Sequence, residues 1–566
     1  MTPQQNSAPQ TRCETPGKRF GVFTVLSRQL AGLFASVLLW LDRLGRRTWV
    51  VSLGLALIVV ALQVASAFIR PLPQPNIHDE YSALLEADTL AHGRLTNQPH
   101  RLWEHFEAVH ILVQPSYTGK YPLGAPAFLA LGQRVFGHPF WGVVIGTALA
   151  VAASAWAIRA WTSPAFSIIG GLQCLLACGT GHYWARSYYG GGSVLLVGSM
   201  LVIGGYRRLV AWKKPSAVWP LGIGFALLLL TRPFEGGVLI FASLLGIAWD
   251  CRDRSARIFH AHRTGPAVAA LFIACVAFQA LANRAATGSA FRMAYMEHSR
   301  QYDRAPAFWF MRPDLGPKRE GEVRYQHDGW ELQGYFEFAR KPLLGKLRER
   351  LQEIRMSIPW PKTAMAIAFT LTSPWLLTSA TFLCSAIAAS SAALFSETWY
   401  FPHYGAPLIA CLLVAQIYVQ WLLARSKLGL ARLGRIAAVT LALTPFASRT
   451  FLRTTTALFT NPGFHYVGTN IGDFFETSRR QLITRKLEAL PGWHVVIVRR
   501  SPKRSNYEWV YNSANIDQQK IIWAQDLGPA KNQSLFDYYN GRQFWLLEPD
   551  IASGSDSIKL TKIDPP

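Results

Sequence analysis

The sequence predicts an all-α polytopic membrane bundle of about eleven transmembrane helices, with juxtamembrane helices in its external loops and a small C-terminal α/β domain. Three observations predict it. Half of the 566 residues are hydrophobic, and the mean hydropathy is +0.15, too apolar over that length for one soluble domain. The apolar residues fall into near-uncharged runs of spanning length, while polar residues gather in two long segments, 70–140 and 287–360. From about Phe474 the pattern changes to short β-type runs separated by Asn, Gly and Pro.

In chain order, residues 1–47 form an N-terminal arm. Phe20 to Trp40 mixes apolar positions with Arg28, and Arg43, Arg46 and Arg47 follow, the composition of a helix lying on the cytoplasmic surface. The first twenty residues are polar with no apolar core of a signal peptide, so the first span, Thr48 to Ile69, is expected to serve as the targeting signal. Basic residues before it put the N-terminus inside and residue 70 onward outside.

The transmembrane domain is expected over residues 48–453. Pro122 to Phe136 starts with Pro, contains Gln133 and Arg134, and is short of the ~20 residues a span needs, so it is read as lying along the outer interface. Spans then fall near Trp141–Ala160, Ala165–Trp184, Gly191–Gly205, Ala217–Leu230, Gly236–Ala248 and Pro266–Ala285. This register puts Arg159, the group Arg207, Arg208, Lys213 and Lys214, and the group Arg252, Arg254, Arg257 and Arg263 inside, as the positive-inside rule requires. The second external loop, 287–360, is rich in Trp, Tyr, Arg and His; Leu343, Leu344, Leu347, Leu351, Ile354 and Ile358 give its end one apolar face. Further spans are expected at Thr363–Leu377, Ala380–Phe395, Pro407–Leu423 and Ile436–Phe451. The tail, 474–566, reads as a helix over Thr477–Leu490 and strands at His494–Val498, Glu508–Tyr511, Lys520–Ala524 and Gln543–Leu547.

Composition excludes some functions. Lys plus Arg number 57 against 33 acids, a net charge of +24; much of that charge sits in short loops between apolar runs, where it orients the chain and meets anionic headgroups, so nucleic acid is not an expected partner. The seven cysteines lie in the N-terminal arm or in and beside apolar segments, so neither a disulfide framework nor a cysteine metal site is expected.

The chemistry concentrates in Asn76 to Pro126. Asp79-Glu80 opens a stretch in which Leu84, Leu85, Ala87 and Leu90 recur at helical spacing until Gly93, and Lys120-Tyr121-Pro122 closes it. Asp79 has two readings, a helix cap satisfying free backbone N–H groups or a carboxylate that takes a proton from an acceptor hydroxyl. Glu80 either orients the loop, bonds an acceptor or complements the helix dipole. Lys120 either snorkels to headgroups or holds a phosphate leaving group. In Thr231-Arg232-Pro233-Phe234-Glu235, Arg232 is a phosphate clamp or the partner of Glu235 in an i,i+3 pair. His403 and Tyr404 lie at the outer end of another span and can reach the same phosphate, or are interfacial residues without that role. Tyr81, Tyr121, Arg186 and Tyr404 are the candidate substrate-binding residues. Trp103, Phe106 and Tyr117 serve either sugar stacking or an interfacial belt. His78, Asp79, Glu80 and His92 can be grouped as metal ligands, but no ligand-type spacing supports them, so no metal or other cofactor is expected.

With these residues laid out, the chain resembles the GT-C superfamily of polytopic glycosyltransferases, and within it the bacterial relatives of protein O-mannosyltransferases and lipid A aminoarabinose transferases, glycosyltransferase family 39. The resemblance rests on Asp79-Glu80-Tyr81, on Leu90-Ala91-His92-Gly93-Arg94-Leu95 and on Gly119-Lys120-Tyr121-Pro122-Leu123-Gly124 before an apolar helix. It covers Asn76 to about Ala160 well and the spans to about Phe451 more loosely. It implies a polyprenyl-phosphate sugar donor, a lipid, glycan or protein acceptor, a bacterial inner membrane setting, a base at Asp79 and a cavity lysine at Lys120. The aminoarabinose transferases resemble one another in a further Asp in the next external loop; here that place reads Arg186-Ser187-Tyr188-Tyr189-Gly190.

The expectation is therefore a membrane enzyme moving a sugar from a polyprenyl-phosphate to an acceptor hydroxyl on the extracytoplasmic face, with inversion. The alternative is a transporter or flippase for a lipid-linked or anionic substrate, which would carry ionisable residues deep in its spans; an assembly protein with a decayed site is a third reading. Span interiors almost free of charge favour the first.

Overall fold

The computed structural model describes residues 32, 35–69, 71–75, 77–179, 183–251, 264–319, 323–357, 380–425, 479–499, 508–549 and 558–565. The expected spans Thr363–Leu377 and Ile436–Phe451, most of the arm helix Phe20–Trp40 and the basic group 252–263 lie outside the described residues. Within them the chain is mostly helical, with a small separate sheet near its C-terminus. Among the described residues, six helices are long and apolar enough to cross a membrane: Thr48–Ile69, Phe140–Trp161, Gly192–Val210, Pro233–Asp250, Ala269–Thr287 and Ala406–Arg425. Three shorter apolar helices, Pro164–Gly179, Pro215–Thr231 and Thr381–Ser396, accompany them. The chain is a multi-pass membrane protein.

We number the helices that matter below α1 (Thr48–Ile69), α2 (His78–Ala91), α3 (Gly124–Phe136), α4 (Phe140–Trp161), α5 (Pro164–Cys174), α6 (Gly192–Val210), α7 (Val218–Thr231) and α8 (Pro233–Cys251). The bundle is built around α4, whose neighbours are α1, α3, α5 and α6. Its alanine-rich sequence allows this. Lipid offers no hydrophobic drive for helix association, so close backbone approach through small residues substitutes for it. A Cβ on Gly132 of α3 would lie 2.1 Å from the backbone nitrogen of Gly142 on α4, so those helices touch backbone to backbone. Inside, Gln416 donates to Gln173 at 3.1 Å, an internal partner for two amides that lipid could not satisfy. Outward-facing Leu57, Phe68, Phe241, Trp249 and Ile273 stay exposed, as side chains meeting lipid should.

The short Pro122–Phe136 segment is helical over only 13 residues, in keeping with its placement outside the spans. The expected span Ala165–Trp184 does not persist as one α-helix: α5 stops at Cys174 and a π-helical turn, Leu175–Gly179, follows. The expected amphipathic helix is present as Leu343–Ser357.

The tail forms the expected α/β unit with one correction. Strands β3 (His494–Val498), β4 (Ile521–Gln525), β5 (Gln543–Glu548) and β6 (Lys559–Ile563) pair in the order β4-β3-β5-β6, with β3 parallel to both neighbours and β6 antiparallel on the edge. Residues 508–511 are not a strand. Glu508 turns its carboxylate onto backbone N–H groups instead, including that of Val510 at 2.9 Å. The central strand is buried along its whole length because it is covered on both faces. One covering face is the first external loop. Leu85, Phe106, Ile111 and Tyr117 share a core with Val495, Ile497, Ile522 and Phe544, so the tail is docked onto the segment that carries Asp79.

Candidate active site

Asp79 is not the cap of its helix. The residue before α2 is Ile77, in an extended conformation, and Asp79 is the second helical residue. Its carboxylate is turned across to the far end of the loop. There the two-residue strands β1 (Ile111–Leu112) and β2 (Thr118–Gly119) pair antiparallel and carry His110 and Tyr121 on their flanks. The Tyr121 hydroxyl donates to Asp79 Oδ1, and His110 Nδ1 lies 3.3 Å from the same oxygen. His110 has φ +64, a conformation that L-residues other than glycine seldom hold unless the surroundings impose it. Burial would raise the Asp79 carboxyl, but the charge of His110 and the hydrogen bonds from His110 and Tyr121 outweigh it and hold the group well below the usual carboxylate range. Tyr121, by contrast, is pushed well above its ordinary value by burial and by the adjacent Asp79 charge.

The other side of His110 leads into the second external loop. Helix Ala294–Gln301 and a π-helical run, Tyr325–Glu331, bring a cluster of titratable groups against it. His110 Nε2 meets Glu331 Oε1 at 3.4 Å, and His327 Nδ1 meets Glu331 Oε2 at 2.8 Å. Asp303 Oδ1 lies 3.1 Å from His327 Nδ1 and 3.3 Å from His298 Nδ1. Burial opposes charge on Glu331, but the His327 charge and the bonds from His110 and His327 win, keeping it below the usual range. An Asp79–His110–Glu331–His327 chain thus runs from the first loop to the second.

Lys120 does not snorkel outward. It is 5% exposed, and its ammonium lies 5.5 Å from the Tyr121 ring centroid and 5.4 Å from that of Tyr295. A small cleft opens beside it, lined by Glu86, Lys120, Tyr121, Asn283, Met293 and Tyr295. Burial pushes the Glu86 carboxyl well above its ordinary value, against a hydrogen bond from the Tyr121 backbone. Burial thus favours the protonated form of Glu86 in the cleft wall.

Arg232 owes its position to Pro233. The residue before a proline is steered out of the α region, so α7 ends at Thr231, Arg232 is extended at φ −147, and α8 starts at Pro233. The guanidinium pairs with Glu235 and covers the Tyr404 ring at 3.5 Å. Tyr404 and Tyr189 are near enough to raise Tyr121 electrostatically, and Arg232 and Asp303 both act on Tyr295. Asp79, Lys120, Tyr121, Arg232 and Tyr404 therefore surround one locality. His403 joins it from the side. Its Nδ1 meets the Tyr183 hydroxyl at 2.9 Å, and its ring packs on Tyr189 at 4.6 Å. Gly190, at φ +72, lies under that ring; a Cβ there would fall 2.4 Å from it.

Three sequence candidates face elsewhere. Glu80 is buried and accepts from Tyr188 N at 3.0 Å and Ile77 N at 3.5 Å, which ties α2 to the Arg186–Gly190 segment. The Tyr81 hydroxyl donates to Pro75 O at 3.0 Å, while its ring packs on Tyr511 of the tail at 4.7 Å. Arg186 donates to Ser66 on α1 at 2.5 Å and covers Phe140. Among the aromatics, the Tyr117 hydroxyl donates to Asn512 O at 2.9 Å, and Trp103 lies under Arg319. His78 packs edge-on to His110, but His92 sits on the exposed end of α2, bonded to Asp88 O at 2.8 Å. Neither belongs to the one metal-type group found among the described residues. Sequence reading missed His110, Glu331, Tyr295 and Glu86. The only hint was the density of His and aromatics in both loops, because no fixed spacing joins residues that meet across two hundred positions.

No family model matches the chain, and no curated protein matches it. Among solved structures it is similar to ArnT from Cupriavidus metallidurans in the apo state, with TM-score 0.45 and 12% identity over 88% of this chain and 93% of that one. It is similar to the same protein bound to undecaprenyl phosphate, with TM-score 0.45 and 13% identity over 88% and 92%. It is also similar to the oligosaccharyltransferase of Archaeoglobus fulgidus, with TM-score 0.36 and 12% identity over 80% of this chain and 62% of that one.

Proposed function

We propose that the chain is a GT-C-type glycosyltransferase that moves a sugar from a polyprenyl-phosphate to an acceptor hydroxyl, inverting the anomeric carbon, with Asp79 as the base. The observation that carries this reading is the convergence of a half-buried carboxylate with a buried lysine and an arginine at one end of an apolar bundle. The ordered motifs of the first loop support the same reading. A lipid-linked donor needs a greasy groove for its tail and a polar pocket for its phosphate, and the Lys120 cleft beside α9 (Thr264–Thr287) offers both characters.

In this mechanism the acceptor oxygen attacks the anomeric carbon and its proton passes to Asp79. Asp79 is a weak base in the resting site, so it takes the proton late, once the new bond has made the acceptor oxygen strongly acidic. The His110–Glu331 pair holds the carboxylate in place and disperses the arriving charge. The phosphate departs toward Lys120 and Arg232, whose charges match it, with His403 alongside. The acceptor side belongs to the extracytoplasmic face of a bacterial inner membrane. The N-terminus is cytoplasmic, the tail domain extracytoplasmic, and the bundle has about eleven spans.

Membranes carrying wild type or Asp79→Asn at matched expression, given labelled polyprenyl-phosphate sugars, test the reading. Consumption by wild type alone supports Asp79 at the chemistry. Equal consumption by both moves the base elsewhere. A protein that consumes none of a panel of donors but exchanges lipid-linked substrate across vesicles is a transporter instead.

A further inference from the structure

We propose that Arg159, Arg207 and Arg208, at the end of the bundle away from Asp79, form a binding site for a phosphate group, separate from the glycosyl-transfer centre. The three arginines stand in the last turns of α4 and α6, which pack on each other. α4 starts against α2, where Phe140 shares a core with Ala83 and Ala87, so its last turn lies at the other end. Each guanidinium lies over an indole. Arg208 is 3.6 Å from the Trp156 ring centroid and 5.1 Å from that of Trp212, Arg159 is 5.5 Å from Trp212, and Arg207 is 4.6 Å from Trp161. Stacking of this kind fixes the plane of a guanidinium and leaves its edge N–H groups to meet oxygen.

The alternative is that these charges only orient the chain and complement the C-terminal dipoles of α4 and α6. Cations in the connecting loop, such as exposed Lys213 and Lys214, meet that need. It does not account for Arg208, which is 8% exposed and donates to Trp156 O at 2.7 Å and Gly204 O at 3.2 Å. Nor does it account for the lack of counter-charge. A buried charge is ordinarily paired, yet among the described residues none of the three arginines is in an ion pair. The charge of Asp42 reaches Arg159, but its carboxylate accepts from Ala165 N at 2.7 Å, and Asp250 accepts from the Tyr206 hydroxyl at 2.5 Å. Arg207 has no hydrogen-bond partner among the described residues, and Nε of both Arg159 and Arg207 is buried without one. Like charges gathered with donors to spare are matched by an anion that offers several oxygens.

The turn after α6 is shaped to the same end. Lys213 holds φ +52, a conformation glycine adopts more readily, while Trp212 N donates to Arg207 O at 3.4 Å and Lys214 N to Arg208 O at 3.1 Å. The turn holds Trp212 against Arg208 and Arg159, and the Lys214 ammonium, 5.3 Å from the same ring, adds a fourth cation. Trp212 and Trp219 are 36% and 42% exposed, as indoles at headgroup depth are. An anionic lipid headgroup and a free phosphate both present the required chemistry; the indoles favour the lipid.

The test titrates the purified full chain, in a non-ionic detergent, with a short-chain phosphatidylglycerol and reads bound lipid by native mass spectrometry, beside separate arms with inorganic phosphate and with phosphatidylcholine. Wild type is expected to bind about one phosphatidylglycerol saturably and to prefer it to phosphatidylcholine by at least about tenfold. Arg207→Gln, at a side chain that makes no hydrogen bond in the fold, and Arg159→Gln are each expected to weaken binding about fivefold. Arg425→Gln removes an arginine stacked on Trp421 at the end of another helix and is expected to bind as wild type does. Inorganic phosphate that binds saturably and displaces the lipid supports the site and makes a free anion its occupant. If Arg425→Gln weakens binding as much as Arg207→Gln, net charge alone explains the effect and the proposal falls. It falls equally if wild type shows no preference for phosphatidylglycerol and takes up no phosphate. Should the arginine variants not fold, wild type alone decides: phosphatidylglycerol or phosphate raises its unfolding midpoint where phosphatidylcholine does not, and a midpoint unmoved by both overturns the proposal.

Discussion

The Tyr121 hydroxyl donates a hydrogen bond to Asp79 Oδ1, the oxygen that His110 also approaches. One carboxylate oxygen thus carries two partners, which fixes the ring of Tyr121 and the rotamer of Asp79 together. Tyr121→Phe keeps the ring packing and removes the donor. A hydrogen bond to a charged group contributes about 1.5–3 kcal/mol, so transfer is expected to fall by about ten- to a hundredfold while donor KM changes little. Steady-state kinetics on matched membranes check this; an unchanged kcat would remove Tyr121 from the chemistry.

The depressed Asp79 carboxyl sets a pH signature. A group whose folded value is lowered contributes stability above its unfolded value, near 3.9, and loses it only as pH falls through the lower folded value. Neither stability nor transfer should therefore respond to Asp79 between about pH 5 and 8. His110→Gln removes the charge that offsets burial, so the acid limb of the rate profile is expected to move toward neutrality. Rate profiles of the two proteins decide it, and superimposable acid limbs would contradict the argument.

Arg232 is paired with Glu235 and stacked on Tyr404, a geometry that a lysine cannot reproduce. Arg232→Lys retains the charge but is expected to raise donor KM by about tenfold, with a smaller change in kcat. Donor titration measures the split. A lower kcat at constant KM would place Arg232 on the departing phosphate alone.

Apolar runs and basic loops made the bundle legible, and the strands at 494–498 and 543–547 were readable because continuous apolar stretches sit between turn residues. The site was half legible. Asp79, Lys120 and Tyr121 lie in one loop with a recognisable order. Glu331 and His110 meet only through tertiary packing, and Glu86 reads as one more charge on a helix until the fold buries it and raises its carboxyl. The Glu508–Tyr511 run looked like a strand because its aromatic and β-branched residues suit one; a buried acid at its head, satisfied by backbone N–H groups, took the segment out of the sheet.

That acid links the tail to the site. Glu508 is 2% exposed; its Oε2 accepts from Val109 N at 3.1 Å and its Oε1 from Val510 N at 2.9 Å. Val109 immediately precedes His110, whose left-handed backbone needs support from its neighbours. Glu508→Ala leaves two buried N–H groups bare at about 1–3 kcal/mol each. It is expected to lower the unfolding midpoint, to speed amide exchange in residues 97–119, and to reduce transfer although Glu508 does not touch Asp79. Glu508→Gln keeps a carbonyl acceptor and should fall between the two. Thermal unfolding and hydrogen exchange in detergent read the first two effects. If the alanine variant melted and exchanged as wild type does, the tail would hold the loop through its apolar face alone, and the route from tail to His110 would have to run through Leu85, Ile111 and Val495.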